Sequence, residues 1–270
     1  AAEQGHCEAQ YSLGQKYTED KSRHKDNEQA IFWLKKAALQ GHTFASNALG
    51  WTLDRGEAPN YKEAVVWYQI AAESGMSYAQ NNLGWMYRNG NGVAKDYALA
   101  FFWYKQAALQ GHSDAQNNLA DLYEDGKGVA QNKTLAAFWY LKSAQQGNRH
   151  AQFQIAWDYN AGEGVDQDYK QAMYWYLKAA AQGSVGAYVN IGYMYKHGQG
   201  VEKDYQAAFE WFTKAAECND ATAWYNLAIM YHYGEGRPVD LRQALDLYRK
   251  VQSSGTRDVS QEIRETEDLL

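Results

Sequence analysis

The chain has 270 residues, a net charge of −6 at pH 7 and aromatic residues at 15% of its positions. Because the net charge is negative and both signs are interspersed, the chain lacks the excess of lysine and arginine that binds nucleic acid phosphates. We therefore expect no nucleic acid partner. We also expect no membrane insertion, since no stretch approaches the roughly 20 apolar residues that cross a bilayer.

One unit recurs along the chain, and the stretch from Asn81 to Gly111 contains all of its landmarks. A single short step falls in the turn between Gly56 and Asn60, where deletions are tolerated best. Repeats of this kind bury their apolar faces only against their neighbours, so we expect an array and no single core. The helix-centre position steps by 34 residues once and then by 36, through Trp33, Trp67, Trp103, Trp139, Trp175, Trp211 and Leu247.

Each repeat is predicted to begin with a first helix, helix A, that runs from about Ser77 to Asn89 in the third copy. Ala79, Leu83 and Tyr87 share one face of this helix. The position of Gly84 is always glycine or alanine, although glycine costs about 1 kcal/mol in a helix interior. The tolerated cost predicts that a neighbouring helix approaches closely at this position.

A Gly-x-Gly-Val turn follows helix A, and its first glycine, Gly90 in the third copy, is expected to adopt the left-handed C-cap conformation. No strand pattern precedes this turn, so it does not match a dinucleotide-binding loop. A second helix, helix B, then carries an apolar stripe that includes Ala100, Trp103 and Tyr104. Its expected N-caps are Asp26, Asn60, Asp96, Asn132, Asp168, Asp204 and Asp240.

The landmarks A-x-x-x-L-G-x-x-Y-x-x-G-x-G-V and D-Y-x-x-A-x-x-W-Y-x-K-A-A-x-Q-G resemble bacterial, enterobacterial-type Sel-1-like repeats, which are relatives of the tetratricopeptide repeat. The resemblance implies an all-α fold, a right-handed α/α superhelical solenoid of about seven 36-residue helix-turn-helix repeats. It also implies a non-enzymatic adaptor that binds a protein or peptide in a concave groove lined by the A helices. The first copy departs from the pattern, with Asp20 to Lys25 in place of the Gly-x-Gly turn.

The same pattern predicts the domain organisation. Residues 1–5 match the end of a preceding repeat, and residues 256–270 carry Val259, Ile263 and Leu270 on one face of a charged segment. We expect a capping helix there, with a partner-binding amphipathic helix as the alternative. The seven repeats are expected at 6–41, 42–75, 76–111, 112–147, 148–183, 184–219 and 220–255.

By analogy with tetratricopeptide repeats, two registers of helix A are expected to face the groove. Amides in the first register are suited to holding a peptide backbone, or else they bond neighbouring helices. Aromatic residues in the second register are typical of binding hot spots, or else they pack between A helices. The first register holds Asn82, Asn118, Gln154, Asn190 and Asn226. The second register holds Trp51, Trp85, Trp157 and Tyr193, with Asp121 interrupting it.

The charge on the expected groove is uneven. Asp121 and Glu124 make the fourth repeat acidic, whereas Arg88 and Lys196 flank it. We therefore hypothesise that a partner segment with a basic centre fits best.

Catalytic and metal sites are not indicated. The seven histidines show no i, i+4 pair and no cysteine within ligand spacing. His112, Ser113 and Asp114 are neighbours in sequence, so they do not face one another on a helix. We expect no enzyme and no cofactor, and a β-lactamase-like role, a label carried by some cysteine-rich members of the family, is an alternative.

Few features of the sequence indicate the compartment of the protein. Cys7 and Cys218 are both expected to be free thiols, which favours a reducing compartment. We expect a monomeric array that acts as a cytoplasmic scaffold. The alternative is a secreted or periplasmic host-interaction protein of the immunoglobulin-binding type, since relatives in enteric bacteria include exported ones.

Overall fold

The computed structural model describes residues 1–19, 27–56 and 58–270. These residues form only helices and no strand, which confirms the expected all-α fold. The helices are α1 (Cys7–Glu19), α2 (Asn27–Ala38), α3 (Thr43–Arg55), α4 (Tyr61–Glu73), α5 (Ser77–Asn89), α6 (Tyr97–Leu109), α7 (Ser113–Asp125), α8 (Lys133–Gln145), α9 (Arg149–Ala161), α10 (Tyr169–Ala181), α11 (Val185–His197), α12 (Tyr205–Glu217), α13 (Ala221–Tyr233), α14 (Leu241–Ser254) and α15 (Ser260–Asp268).

The helices belong to two compact units, which we call unit 1 (Ala1–Ser143) and unit 2 (Ala144–Leu270). The odd-numbered helices from α1 to α13 are the A helices, and the even-numbered helices from α2 to α14 are the B helices. In unit 1, each helix from α1 to α7 packs against the next one along the chain. The same order of packing runs from α9 to α15 in unit 2.

The ends of the helices follow the local sequence. Gly90 ends α5 in the left-handed conformation, with φ 75°, and its N–H donates to the carbonyl of Met86. Gly56 ends α3 in an extended conformation, with φ −65° and ψ 170°, at the one turn that is two residues short. The expected N-caps of six B helices accept backbone N–H groups: Asn60, Asp96, Asn132, Asp168, Asp204 and Asp240. The predicted cap Asp26 and the segment from Asp20 to Lys25 lie outside the described residues.

The glycine inside helix A is explained by an aromatic ring on helix B. A Cβ added to Gly84 would lie 2.7 Å from Cδ1 of Tyr104, and Tyr104 is fully buried. In unit 2, a Cβ on Gly192 would lie 2.7 Å from Cε1 of Phe212. The expected close approach is therefore confirmed in both units, and the approaching group is a ring from the same repeat.

The A helices begin at capping residues that include histidine. Nδ1 of His42 accepts from the N–H of Ala45 at 3.1 Å, and Nδ1 of His112 accepts from the N–H of Ala115 at 3.3 Å. In unit 2, the same position holds Asn148 and Asp220, which cap α9 and α13 through their side-chain oxygens. Histidine is not among the usual N-cap residues, so the sequence pattern does not predict this cap.

Buried glutamines join consecutive helices in each unit. In unit 1, Nε2 of Gln80 donates to the carbonyl of Ala72 at 3.2 Å, and Nε2 of Gln110 donates to Oε1 of Gln80 at 2.8 Å. In unit 2, Gln182 donates to Gln152 at 2.8 Å in the same way. These bonds satisfy amides that would otherwise be costly to bury.

Helix α15 packs against α14 at the end of unit 2. Val259 and Thr266 are fully buried, whereas Leu270 is 59% exposed and does not join the buried face. The hydroxyl of Thr266 lies 3.1 Å from Nδ1 of His232, which joins α15 to the A helix α13. We propose that α15 is a cap, because it covers apolar surface of the last repeat and keeps its charged residues in water.

Candidate protein-binding face

The A helices of unit 1 expose two tryptophans in the predicted aromatic register. The side chain of Trp51, on α3, is 41% exposed, and that of Trp85, on α5, is 43% exposed. The guanidinium carbon of Arg55 lies 5.6 Å from the centre of the Trp51 ring. We call this surface the A-helix face of unit 1, and its two indoles remain available to a partner.

The predicted aromatic register is less exposed on the A helices of unit 2. Trp157, on α9, is 36% exposed, whereas Tyr193, on α11, is only partly exposed. The ring of Tyr193 stacks on His197 with centroids 6.1 Å apart, and its hydroxyl accepts a hydrogen bond from Asn226. Tyr193 therefore takes part in packing within this unit.

The amide register in unit 1 connects successive A helices. Nδ2 of Asn82 donates to Oδ1 of Asn47 at 3.2 Å, and Nδ2 of Asn118 donates to Oδ1 of Asn81 at 3.0 Å. Asn82 and Asn118 remain partly exposed, and each amide nitrogen carries a second N–H. These contacts favour the packing alternative and leave the amides with one donor for a ligand.

In the amide register of unit 2, Asn190 and Asn226 both donate hydrogen bonds within their own helices. Nδ2 of Asn190 donates to the carbonyl of Gly186 in its own helix at 2.9 Å. Asn226 is 2% exposed, and its Nδ2 donates to the carbonyl of Thr222 at 2.8 Å. Asn226 therefore stabilises packing and does not reach the surface, whereas Gln154 lies partly exposed on α9.

The acidic centre of unit 1 is built around a buried hydroxyl. The OH of Tyr140, which is 1% exposed, lies 2.8 Å from Oδ1 of Asp121 and 2.7 Å from Oε2 of Glu124. A phenol has one proton to donate, so it satisfies only one of the two carboxylates at a time. Burial, and then the neighbouring carboxylates, raise the pKa of Tyr140 far above its ordinary range, so the hydroxyl stays protonated.

The two carboxylates of this centre differ in their counter-charge. Nη1 of Arg88 lies 3.0 Å from Oδ2 of Asp121, so Arg88 neutralises Asp121 instead of only flanking it. No lysine or arginine in the described part of the chain lies within 4.0 Å of the Glu124 carboxylate. Among the described residues, Glu124 is thus the carboxylate of this centre that has no lysine or arginine partner.

The corresponding position in unit 2 holds a lysine. Nζ of Lys196 lies 2.7 Å from Oε2 of Glu235, and the Lys196 side chain is 12% exposed. Glu235 therefore neutralises the charge of Lys196 within the unit. Lys196 is one of the predicted groove residues, but its ion pair with Glu235 is not evident from the sequence, and neither is the position of Tyr140 under the acidic pair.

Other chemistry is sparse on the described surface. Across residues 1–19, 27–56 and 58–270, no three side chains of His, Cys, Asp or Glu converge as metal ligands would. Cys7 and Cys218 are free cysteines. Within the same ranges, each helix is too short or too polar to cross a membrane.

The repeat and its fold are similar to known bacterial proteins. The crystal structure of c5321, "a protective antigen present in uropathogenic Escherichia coli strains displaying an SLR fold", is 36% identical, with a TM-score of 0.87 over 94% of this chain and 55% of that chain. This chain thus spans about half the length of c5321. A Sel1 repeat protein from Oxalobacter formigenes is 33% identical, with a TM-score of 0.73 over 79% of this chain and 86% of that chain. The sequence model of the Sel1 repeat matches residues 7–42, 43–76, 77–112, 113–148, 149–184, 185–220 and 221–250.

Proposed function

We propose that this chain, which belongs to the Sel1 repeat family, holds a partner protein or peptide on the A-helix face of its repeats. Sel1 repeat proteins are generally protein-interaction scaffolds, and the solenoids of this family are generally non-enzymatic. One observation supports the proposal most. Trp51 and Trp85, from successive A helices of unit 1, stay more than two-fifths exposed although each is large and apolar.

The two indoles are the anchors of the proposed contact. Tryptophan is enriched among the hot spots of protein interfaces, and truncating a hot-spot side chain costs about 2 kcal/mol or more. Asn82 lies on the same helix as Trp85, and Asn118 bonds to Asn81 of that helix, so both amides offer hydrogen bonds to backbone groups of the partner. The proposed contact therefore combines apolar anchors with sequence-tolerant polar contacts.

Glu124 supplies the electrostatic part of the proposal. Its carboxylate shares the Tyr140 proton with Asp121 and has no cation of its own within 4.0 Å in the described residues. A lysine or arginine of the partner would complete this arrangement, since a carboxylate pair on one phenol leaves an acceptor unsatisfied. We therefore propose a partner segment that carries a basic residue next to apolar side chains.

The experiment is an affinity measurement with the intact protein and a partner isolated by crosslinking and mass spectrometry. Trp51→Ala with Trp85→Ala should weaken binding by about 700-fold, because two hot-spot side chains of about 2 kcal/mol each are removed. Glu124→Lys should weaken it by about tenfold and reduce its dependence on salt. Tyr174→Ala, on the B helix α10 of unit 2, also removes a half-exposed aromatic ring; it is the matched control and should leave the affinity unchanged. Unchanged affinity in the tryptophan double variant would refute the proposal.

A second function is favoured by the similarity to c5321, which is described as a protective antigen. We propose as the alternative that the whole protein is exported and meets a host protein through the same face. Fractionation of the cells that produce the full-length protein distinguishes the exported protein from the cytoplasmic scaffold. An exported protein would be recovered outside the cytoplasm, whereas a cytoplasmic scaffold would remain with the soluble cytoplasmic fraction.

A further inference from the structure

Unit 1 carries a second exposed apolar surface, on its B helices. Phe32, Val66, Phe102 and Phe138 come from α2, α4, α6 and α8, and each occupies the position just before the helix-centre tryptophan. Their side chains are 47%, 54%, 47% and 47% exposed. We call these four residues the outer stripe, and the function proposed above does not use it.

The rings of the outer stripe are held in a common orientation. Phe32, Phe102 and Phe138 each stand edge-on to the tryptophan that follows, with centroids 5.0, 4.9 and 5.1 Å apart and interplanar angles of 81°, 79° and 80°. Edge-to-face pairing of this kind is a favourable aromatic geometry. The rings are thus fixed before any partner arrives, which lowers the entropy that binding would cost.

The helices that carry the stripe are neighbours. Nζ of Lys35 on α2 lies 2.8 Å from Oε1 of Glu63 on α4. Trp103 packs against the buried cluster that contains Trp67, and Trp139 packs against the cluster that contains Tyr104. Packed helices lie roughly 8–10 Å apart, so we expect successive rings of the stripe to be separated by about that distance.

The exposed apolar area is large for a monomer. Ile70, Leu99 and Leu135 add further apolar surface on the same helices, at 41%, 40% and 38% exposure. At roughly 200 Å² for a whole large apolar side chain, the stripe and these residues expose on the order of 600 Å². This is at the upper end of the largest patch on a typical monomer, about 300–600 Å². It approaches the roughly 800 Å² that each side of a standard interface buries.

Three lysines on these helices, Lys36, Lys105 and Lys142, make no salt bridge among the described residues. Nζ of Lys36 lies 4.4 Å from the ring centre of Phe32, and Nζ of Lys142 lies 5.7 Å from that of Phe138. Neither ammonium group has a carboxylate within 4.0 Å among the described residues, and the same holds for Lys105 on α6. The four B helices carry six lysines and three glutamates, a net charge of +3 on a chain of −6.

We propose that the outer stripe docks an acidic amphipathic helix of a partner protein. Apolar residues seven positions apart on a helix are separated by about 10.5 Å along its axis, which matches the spacing of the rings. A helix of about 20 residues spans roughly 30 Å and reaches all four positions. Glutamates and aspartates beside its apolar face meet Lys36, Lys105 and Lys142.

Charge decides against two other occupants. A two-fold contact with a second copy would bring Lys36 of one stripe toward Lys142 of the other, since a two-fold axis reverses the order of the repeats. An anionic bilayer would attract the stripe but repel the rest of a chain with net charge −6. An acidic helix is attracted by the lysines and avoids both the lysine–lysine repulsion of a dimer and the repulsion of this chain from an anionic bilayer.

The test uses a synthetic helical peptide of about 20 residues, with leucine at every seventh position and glutamates beside the leucines. Its affinity for the intact chain is measured by isothermal titration calorimetry. We expect saturable binding that weakens at least tenfold in Phe102→Glu with Phe138→Glu and several-fold in Lys142→Glu. The double variant is expected to fold, because Glu210 and Asp246 occupy the same position in α12 and α14.

Controls separate this proposal from the function proposed for the A-helix face. Trp51→Ala with Trp85→Ala should leave peptide binding unchanged, so failure of one proposal does not imply failure of the other. Equal binding of a peptide with lysine in place of glutamate would overturn the acidic-helix proposal, as would peptide binding that Phe102→Glu with Phe138→Glu leaves intact. It would also be overturned by dimers in sedimentation that the double variant abolishes, or by recruitment to phosphatidylserine vesicles that the double variant abolishes.

Discussion

Units 1 and 2 share one helical framework and differ in what they expose on it. The position before the helix-centre residue holds Phe102 and Phe138 in unit 1, but Glu210 and Asp246 in α12 and α14 of unit 2. Tyr174, on α10, keeps a ring at this position in unit 2. All five positions lie on the exposed side of a B helix. Because α12 and α14 fold with charges there, the fold does not require an aromatic ring at this position. We propose that the rings of unit 1 serve binding.

The A helices of the two units also differ at equivalent positions. The positions two and five residues after the buried Leu or Ile hold Asp121 and Glu124 in α7, but Tyr193 and Lys196 in α11. In unit 1 they surround the buried hydroxyl of Tyr140, whereas in unit 2 Lys196 pairs with Glu235. These partly buried positions of the A helices change in charge and size, while the fully buried positions between the helices stay nearly constant.

The largest expected effect tests whether the framework really is shared. Gly84→Val in unit 1 and Gly192→Val in unit 2 each place a Cβ 2.7 Å from a ring carbon. Overpacking of this kind costs about 1–3 kcal/mol, so both variants should lower the free energy of unfolding by a similar amount within this range. Urea denaturation of the two variants and the wild type measures this loss. A large loss in one unit with none in the other would show that the two frameworks differ.

Removal of a buried tyrosine hydroxyl should affect the stability of the two units differently. Tyr140→Phe removes the proton shared by Asp121 and Glu124, and it should lower the free energy of unfolding by about 1–2 kcal/mol. The OH of Tyr176, at the same position in unit 2, makes no hydrogen bond within the described residues. Tyr176→Phe should therefore be neutral or slightly stabilising in the same denaturation assay. Equal losses in both variants would contradict this difference.

A smaller effect depends on pH. Burial, partly offset by Asp114, lowers the pKa of His112 below its ordinary value of 6.5, so the folded state binds this proton less readily than the unfolded chain does. Protonation also removes the acceptor that caps α7, a contact of about 1 kcal/mol. The stabilisation should be complete above pH 6.5 and should be lost as the pH falls below it.

His112→Asn copies the cap that Asn148 provides in unit 2 and has no titratable group. Denaturation curves at pH 8 and pH 5 should show a smaller difference for this variant than for the wild type. If the wild type and the variant lose stability equally between these pH values, His112 does not act as the proposed pH-sensitive cap.

Much of the fold could be predicted because its signals are local. The cap Asp96, the left-handed Gly90 and the small residue Gly84 each follow from a short stretch of sequence, and all three take the predicted role. The repeat then extends each prediction to the other copies. Gly56 behaves differently because its turn is two residues shorter and does not need the left-handed conformation.

The contacts of the candidate site could not be predicted in the same way. Asn82 bonds Asn47, and Arg88 pairs with Asp121, across separations of 35 and 33 residues. Such pairs depend on how far one A helix is shifted along the next, which the period alone does not determine. The burial of Asn226 has the same origin, since its neighbours Tyr193 and Thr222 decide whether the amide faces solvent.

The most direct test of the central claim is the free energy of unfolding of Phe102→Glu with Phe138→Glu, measured by urea denaturation of the intact chain. The claim is that these rings lie outside the framework and that unit 1 keeps them for a partner. It predicts a loss of less than about 1 kcal/mol per substitution, the range of exposed sites. A loss of about 3 kcal/mol or more per substitution, as for a core aromatic residue, would contradict it.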